Sequence, residues 1–149
     1  MNASAPFAPN QCCPHPGLLC GGQPSAGQLA AFARAGGRCV INLRPQAELG
    51  DWDEDAVVRA LGLAYVHIPI DGAAALCREA ARRLADALAR HGAGPVLVHC
   101  GSGNRVGALV ALKAAWVDGH APAQALAAGR QAGLTGLEPA VRALLASAR

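Results

Sequence analysis

The chain has 149 residues, enough for a single domain to bury a core without disulfides or metal ions. Hydrophobic residues make up 52% of it and aromatic residues only 3%, so the core must consist mainly of Ala, Leu and Val. A formal net charge of +3, without any run of Lys or Arg, argues against a nucleic-acid-binding surface and mildly favours anionic substrates.

The N-terminal segment, residues 1–16, is rich in Pro, Asn and Ser and is predicted to form a flexible arm. It lacks the basic start and apolar segment of a secretory signal. Elsewhere, charged residues, Gly and Pro interrupt every apolar run before it reaches membrane-spanning length. We therefore expect one domain over residues 17–149, a cytoplasmic location and no membrane partner.

Six cysteines occur, at positions 12, 13, 20, 39, 77 and 100. Three of them, with His15, superficially suggest metal ligands near the N-terminus. Adjacent cysteines separated from the others by prolines do not match a zinc-site spacing, however, and no second ligand pair follows. No metal or cofactor is therefore predicted, and Cys39 and Cys77 are interpreted as small buried hydrophobic residues.

The predicted elements alternate between strands and helices. A short strand at 18–20 precedes a helix that begins with a capping box formed by Ser25 and Gln28. The later elements, in chain order, are a strand at 39–43, a helix from the acidic residues at 51–55 to about Leu61, a strand at 64–70, a helix at 76–90, a strand at 96–98, and helices near 106–117, 121–132 and 137–148. This order predicts an α/β domain with a mainly parallel sheet covered by helices.

The most informative segment is His-Cys-Gly-Ser-Gly-Asn-Arg-Val-Gly at residues 99–107, between a buried strand and an apolar helix. Gly101 and Gly103 allow the backbone to curl, so that successive N–H groups point inward and form an anion-binding loop with Ser102 and Asn104. The N-terminus of the following helix adds the positive end of its dipole at the same place.

A cysteine in that field loses its proton easily, so Cys100 is predicted to be a thiolate nucleophile. The permanently charged, forked guanidinium of Arg105 is predicted to bind an oxyanion beside the sulfur. The alternative is a glycine-rich turn around a buried cysteine, which does not require this order of strand, glycines, arginine and helix. The functional interpretation is therefore favoured.

Two supporting residues are predicted near this loop. His99 precedes the nucleophile and is expected to shape the loop through hydrogen bonds, rather than to act as a general base. Arg44 lies at the carboxyl end of a central strand, the edge where open α/β sheets bind ligands. It could contact an anion or pair with the acidic residues at 48–55, and the second role is favoured.

Four stretches, at residues 21–25, 40–44, 65–70 and 98–107, resemble the bacterial domain called beta-lactamase-hydrolase-like phosphatase, or sulfur transferase. The loop is also similar to those of the Cys-loop-Arg enzymes, which include protein tyrosine and dual-specificity phosphatases and rhodanese-type sulfurtransferases. The resemblance implies a protein-tyrosine-phosphatase-like fold. Such a fold has a four- to five-stranded sheet with the nucleophile loop at the carboxyl end of a strand.

Three positions distinguish the two activities that the resemblance offers. Phosphatase loops have five residues between Cys and Arg, whereas this chain has four, residues 101–104, as rhodanese-type loops do. Val106 stands where phosphatases usually place the Ser or Thr whose hydroxyl assists the departure of the cysteine. Ser102 is an alternative source of that hydroxyl, and the sequence does not decide whether it acts. Asp71 stands where related dual-specificity phosphatases carry the general acid, although an Asp-Gly turn is an equal alternative.

We therefore favour a small sulfurtransferase that takes sulfane sulfur from an anionic donor, such as thiosulfate or a persulfide, and carries it as a persulfide on Cys100. The second hypothesis is a phosphatase acting on phosphate esters, in which Cys100 forms a phosphocysteine and Asp71 protonates the leaving group. The third is a module that binds phosphate or sulfate without turnover. It is the least favoured, because it does not need a cysteine.

Overall fold

A five-stranded sheet forms the centre of the computed structural model, which describes residues 6–147. The strands are β1 (Cys12–His15), β2 (Leu18–Gly21), β3 (Cys39–Asn42), β4 (Ala64–His67) and β5 (Val96–His99). Their order is β1-β2-β5-β3-β4, with β1 antiparallel to β2 and all other pairs parallel. The predicted α/β architecture with a mainly parallel sheet is confirmed.

Helices cover both faces of this sheet. They are α1 (Ala26–Arg34), α2 (Gln46–Leu49), α3 (Glu54–Ala60), α4 (Arg78–His91), α5 (Asn104–Trp116), α6 (Pro122–Gln131) and α7 (Glu138–Ser147), and a 3-10 turn spans Ala73–Ala75. None of the helices within residues 6–147 has both the length and the hydrophobicity needed to cross a lipid bilayer.

Strand alternation divides the core into two layers. In β3, Val40 packs with residues of α1 and α3, such as Phe32 and Val58. Ile41, the next residue, joins the larger cluster on the opposite face, to which α4 and α5 contribute. All four residues of β3 and all four of β5 are buried, as expected for central strands of a parallel sheet.

The capping box at the start of α1 forms as predicted. The Gln28 N–H donates to Ser25 Oγ at 3.0 Å, and the Ser25 N–H donates to Gln28 Oε1 at 3.0 Å. These bonds satisfy backbone donors that the first turn of a helix leaves without partners. They fix where α1 begins, immediately after the segment that joins it to β2.

The segment predicted as a flexible arm contributes to the sheet. Cys12–His15 form the edge strand β1, and the buried Ala8 lies before it. An edge strand tolerates Pro14 because its missing N–H removes no interior hydrogen bond. Residues 1–5 of the predicted arm lie outside the described residues.

One further sequence prediction was wrong, and one short helix was not predicted. Cys77 is exposed and precedes α4, so it is not a buried hydrophobic residue. The one-turn helix α2 was not predicted, because four residues cannot display a helical periodicity. Both lie in connections between longer elements, where the sequence pattern carries little information.

Helix α5 approaches α6 closely through two glycines. A Cβ atom on Gly107 would lie 2.0 Å from the backbone nitrogen of Leu134 and 2.7 Å from the carbonyl oxygen of Gly129. A Cβ atom on Gly129 would lie 2.8 Å from the Gly107 oxygen. This close contact fixes the helix that follows the loop at Cys100.

Candidate active site

The loop from Cys100 to Asn104 lies at the carboxyl end of the central strand β5 and leads directly into α5. The Cys100 residue is 1% exposed, and the Gly103 N–H donates to its Sγ at 3.0 Å. Gly103 has a φ of 108°, a conformation that favours glycine, and it precedes the first residue of α5. The backbone is therefore turned so that at least one amide faces the thiol.

The segment between β2 and α1 supports this loop from outside. The Gln23 N–H donates to the Gly101 oxygen at 3.2 Å, and the Cys100 N–H donates to the Gly21 oxygen at 3.1 Å. A Cβ atom on Gly22 would lie 2.5 Å from the Gly101 oxygen, so the two backbones touch. The loop is consequently fixed by a neighbouring strand end as well as by its own helix.

Asn104 has a structural role that the sequence did not reveal. Its Oδ1 accepts hydrogen bonds from the Thr135 N–H at 2.9 Å and the Leu137 N–H at 3.2 Å. These bonds connect the start of α5 to the segment between α6 and α7. The side-chain oxygen of Asn104 is therefore occupied by these two hydrogen bonds. Its backbone N–H is the group that it can contribute to the predicted anion-binding loop.

Arg105 lies beside the thiol and is fixed by Glu48, a residue that the sequence analysis did not single out. Its Nη1 donates to Glu48 Oε2 at 3.0 Å, and its Nη2 donates to Glu48 Oε1 at 2.9 Å. The carboxylate thus occupies the Nη1–Nη2 edge of the guanidinium, which leaves the Nε–Nη2 edge for an oxyanion. A Cβ atom on Gly101 would lie 3.3 Å from Nη2, so the end of the guanidinium lies against the loop.

The pairing with Glu48 shifts both groups toward their charged forms. Burial alone opposes the charge on Arg105. The hydrogen bond to Glu48 and the nearby Cys100 sulfur outweigh it, so the pKa of Arg105 lies above its ordinary value. The hydrogen bond from Arg105 is the largest influence on the pKa of Glu48 and lowers it, with a smaller contribution from Arg44.

Glu48→Gln is expected to lower kcat/KM for an anionic substrate by about tenfold, because a neutral amide orients Arg105 less firmly than a bidentate carboxylate. Steady-state kinetics would measure this effect. Glu79→Gln, at an exposed position on α4, is the matched control and should change nothing. An unchanged or increased kcat/KM in Glu48→Gln would show that Glu48 does not position Arg105.

Arg44 pairs with Glu48, one of the acidic residues at 48–55. Its Nε lies 3.3 Å from Glu48 Oε1, and its Nη1 donates to Gln23 Oε1 at 2.8 Å. Arg44 therefore lies between Glu48, which is bonded to Arg105, and Gln23, whose backbone N–H is bonded to the Gly101 oxygen.

His99 is completely buried, and its ring lies between two oxygen atoms. Nε2 is 2.5 Å from Glu54 Oε2, and Nδ1 is 3.3 Å from the Cys100 carbonyl oxygen. His99 therefore contacts the loop at the carbonyl of Cys100. Glu54, which is 1% exposed, is a functional candidate that the sequence analysis treated only as part of an acidic helix start.

Asp71 is exposed and follows β4 along the chain. Its neighbour Ile70 is fixed twice: the Ile70 N–H donates to the Leu43 oxygen at 2.8 Å, and the Ile70 oxygen accepts from Arg105 Nη1 at 2.8 Å. The Asp71 carboxyl group has no hydrogen-bond partner among residues 6–147. The loop that carries Asp71 is thus joined to the guanidinium beside Cys100.

The residue directly after Arg105 is Val106, which has no hydroxyl group and is fully buried in the larger core cluster. Ser102, the residue left open as a substitute, is exposed on the loop, and Asn10 Nδ2 donates to its carbonyl oxygen at 3.1 Å. Among residues 100–106, Ser102 is therefore the only one that carries a hydroxyl group.

The other buried cysteines are electrostatically unsuited to act as nucleophiles. Burial raises the pKa of Cys39 to about 11. For Cys20, burial is the larger cause and three neighbouring thiols are a smaller one, and together they raise its pKa well above its ordinary range. Both thiols therefore stay protonated at neutral pH. Within residues 6–147, no three His, Cys, Asp or Glu side chains are grouped to bind a metal ion.

The Cys100 thiol is buried on a strand-to-helix loop, and Arg105 lies in the first turn of the helix that follows. A mainly parallel five-stranded sheet lies behind them. Together these features define a protein-tyrosine-phosphatase-like domain. Residues 16–117 match the family described as beta-lactamase hydrolase-like protein, phosphatase-like domain, and the chain belongs to this family. The resemblance seen in the sequence is therefore confirmed.

Individual relatives agree with this assignment. The chain is 39% identical over 107 residues to the beta-lactamase hydrolase-like protein of Xylella fastidiosa (strain Temecula1), covering 69% of this chain and 24% of the relative. The chain thus spans about a quarter of the length of the curated relatives it matches.

Solved structures share the fold. A DUF442 protein of Shewanella putrefaciens CN-32, described as a candidate phosphatase, superposes with a TM-score of 0.69 at 27% identity, covering 93% of this chain and 89% of that one. TpbA of P. aeruginosa, in a complex with pTyr, gives a TM-score of 0.67 at 21% identity, covering 98% and 88%. None of these descriptions specifically supports the sulfurtransferase hypothesis.

Proposed function

We propose that this domain hydrolyses phosphate monoesters through a covalent intermediate on Cys100. The observation that carries the proposal is the bond between Arg105 Nη1 and the Ile70 oxygen at 2.8 Å. This bond joins the Asp71-bearing loop to the predicted anion-binding arginine. A phosphatase needs an acid beside the leaving oxygen, and sulfur transfer does not. Family membership supports the same choice.

In the first step, the Cys100 thiolate attacks phosphorus, the S–P bond forms, and the bond from phosphorus to the ester oxygen breaks. Asp71 gives its proton to that oxygen, so the alcohol leaves uncharged. The loop amides and the Nε–Nη2 edge of Arg105 stabilise the negative charge on the other phosphoryl oxygens. In the second step water attacks phosphorus, its proton passes to Asp71, and the S–P bond breaks to release phosphate and the thiolate.

Aryl phosphates are the appropriate first probes. TpbA, which shares the fold, has been seen with phosphotyrosine, an aryl phosphate. The positive net charge of the chain also favours anionic substrates. We therefore propose small phosphate monoesters, phosphotyrosine among them, as the substrate class.

Asp71→Asn is expected to lower kcat/KM by roughly 10²- to 10³-fold, because the amide cannot protonate the leaving oxygen in the first step. The loss should be smaller for p-nitrophenyl phosphate than for an alkyl phosphate, because p-nitrophenolate leaves without a proton. Asp86→Asn, an exposed change on α4, is the matched control. Equal kcat/KM values in wild type and Asp71→Asn on the alkyl phosphate would remove Asp71 from this role.

Sulfur transfer is the second candidate function, favoured by the four-residue spacing from Cys100 to Arg105 and by the buried Val106. Here the Cys100 thiolate attacks the outer sulfur of thiosulfate, the new S–S bond forms, and sulfite leaves with the electron pair of the broken bond. The persulfide then gives its outer sulfur to an acceptor such as cyanide, which becomes thiocyanate.

One set of assays separates the two functions. Wild type, Cys100→Ser and Asp71→Asn are compared on an aryl phosphate and on thiosulfate with cyanide. The proposed function requires phosphate release that depends on both Cys100 and Asp71. Thiocyanate formation that depends on Cys100 but not on Asp71, without phosphate release, would replace it with sulfur transfer.

A further inference from the structure

We propose that Glu54 is a positioning residue that aims the amides of the Cys100 loop at the thiol and its anionic substrate. The activity assay that tests this role rests on the proposed phosphatase function. The structural evidence for the role concerns only the loop and the residues behind it. Glu54 lies at the start of α3, on a different element from the loop it contacts.

The side chains of Glu54 and His99 are in hydrogen-bond contact, and both are 0% exposed. A buried carboxylate is costly unless each oxygen has a partner, and both oxygens of Glu54 have one. Oε2 lies 2.5 Å from His99 Nε2, and Oε1 accepts from Gln23 Nε2 at 2.8 Å. An apolar pair of the same volume could stabilise the core as well, which favours an orienting role for these groups.

Each oxygen of Glu54 leads to a different carbonyl of the loop. Through His99, one oxygen reaches the Cys100 carbonyl, which lies 3.3 Å from Nδ1. Through Gln23, the other reaches the Gly101 carbonyl, because the Gln23 backbone N–H donates to that oxygen at 3.2 Å. Glu54 is thus connected to two successive peptide groups immediately after the nucleophile.

The orientation of these carbonyls determines where the amides point. In a planar trans peptide the C=O and N–H bonds point in opposite directions, so a carbonyl fixed outward turns its amide inward. The third peptide of the loop shows this arrangement: Asn10 bonds the Ser102 oxygen, and the Gly103 N–H donates to Cys100 Sγ at 3.0 Å. By the same geometry, Glu54 controls the amides of Gly101 and Ser102.

The test is the pH profile of Cys100 alkylation by iodoacetamide, measured beside kcat/KM on an aryl phosphate. Glu54→Gln keeps the volume but weakens the bond to His99. It is expected to slow alkylation about tenfold at neutral pH and to move the profile to higher pH, because amides that are less well aimed stabilise the thiolate less. Glu54→Asp, which keeps the charge, should restore part of the effect.

Two outcomes would overturn the proposal. One is an alkylation profile of Glu54→Gln that matches the profile of Glu79→Gln, the exposed control on α4. If Glu54→Gln then only melts at a lower temperature, the role of Glu54 is purely structural. The other concerns Gln23→Met, which loses the bond to Oε1 but leaves His99 in place. It should shift the profile in the same direction by a smaller amount, and no shift would contradict the connection.

Failure of this proposal is distinguishable from failure of the proposed function. Alkylation reports on the thiol whatever reaction the domain catalyses. If the profile shifts as expected but no phosphate is released, the positioning role stands and the phosphatase proposal fails. If phosphate is released but the alkylation profile does not move, the phosphatase proposal stands and the positioning role of Glu54 fails.

Discussion

Cys100→Ser is expected to lower the rate of phosphate release by at least about 10³-fold, because a serine hydroxyl is neither ionised at neutral pH nor as nucleophilic as a thiolate. The substitution replaces only the sulfur atom, to which the Gly103 N–H donates at 3.0 Å. The oxyanion-binding groups around it remain, so substrate should still bind. Steady-state kinetics and a binding measurement with an aryl phosphate would show this separation.

The chain offers a matched control for this prediction. Cys77 is exposed and precedes α4, so Cys77→Ser makes the same chemical change away from the loop. Its activity should stay within about twofold of wild type, as for most surface substitutions. Phosphate release that survives in Cys100→Ser, or that is lost in Cys77→Ser, would be incompatible with Cys100 as the nucleophile.

Gly107→Ala is expected to have the largest effect on stability. The added Cβ atom would lie 2.0 Å from the Leu134 nitrogen and 2.7 Å from the Gly129 oxygen, and both of these are backbone atoms that cannot rotate away. Helices α5 and α6 would have to separate. Overpacking of this kind costs about 3 kcal/mol or more, which lowers the Tm by roughly 10 °C in a domain of this size.

A second glycine substitution provides the comparison. Gly27 is exposed in α1, and a Cβ atom there would meet only Ser25 Oγ at 3.8 Å. Gly27→Ala should raise the free energy of unfolding by about 0.5–1 kcal/mol, because Ala is the better helix former. Thermal or denaturant unfolding of both variants gives the contrast. Equal stabilities of Gly107→Ala and wild type would mean that α5 and α6 are not packed as described.

The sequence revealed those parts of the site that are close together along the chain. Cys100, the two glycines and Arg105 fall within six residues, between a buried strand and an apolar helix, so their proximity follows from local structure alone. The capping box of α1 was predictable for the same reason. Central strands such as β3 and β5 were also recognisable, because each of them opens with three consecutive apolar residues.

The partners of these groups could not be found in this way. Glu48 pairs with Arg105 across 57 positions, and Glu54 meets His99 across 45, so both contacts depend on how the connections between strands fold over the sheet. Glu54 also stands among several acidic residues that all suit a helix start. Only burial distinguishes it from them, and burial depends on the tertiary fold.

The structure also changes the balance between the two activities. From sequence, the spacing of the loop and Val106 favoured sulfur transfer, and Asp71 could equally have belonged to a simple turn. The bond from Arg105 to the Ile70 carbonyl brings the Asp71 loop to the site, and membership of a phosphatase-like family supports the same interpretation. The missing hydroxyl at Val106 then predicts a slow second step, because nothing at that position assists the departure of the Cys100 sulfur.

A slow second step makes the intermediate accessible to direct measurement. The reaction with an aryl phosphate is stopped with acid during turnover, the protein is digested, and the peptide that contains Cys100 is analysed by mass spectrometry. The phosphatase proposal predicts a mass gain of one phosphoryl group on Cys100, absent from Cys100→Ser. An unmodified Cys100 peptide during turnover, or a phosphoryl group on another residue, would contradict it.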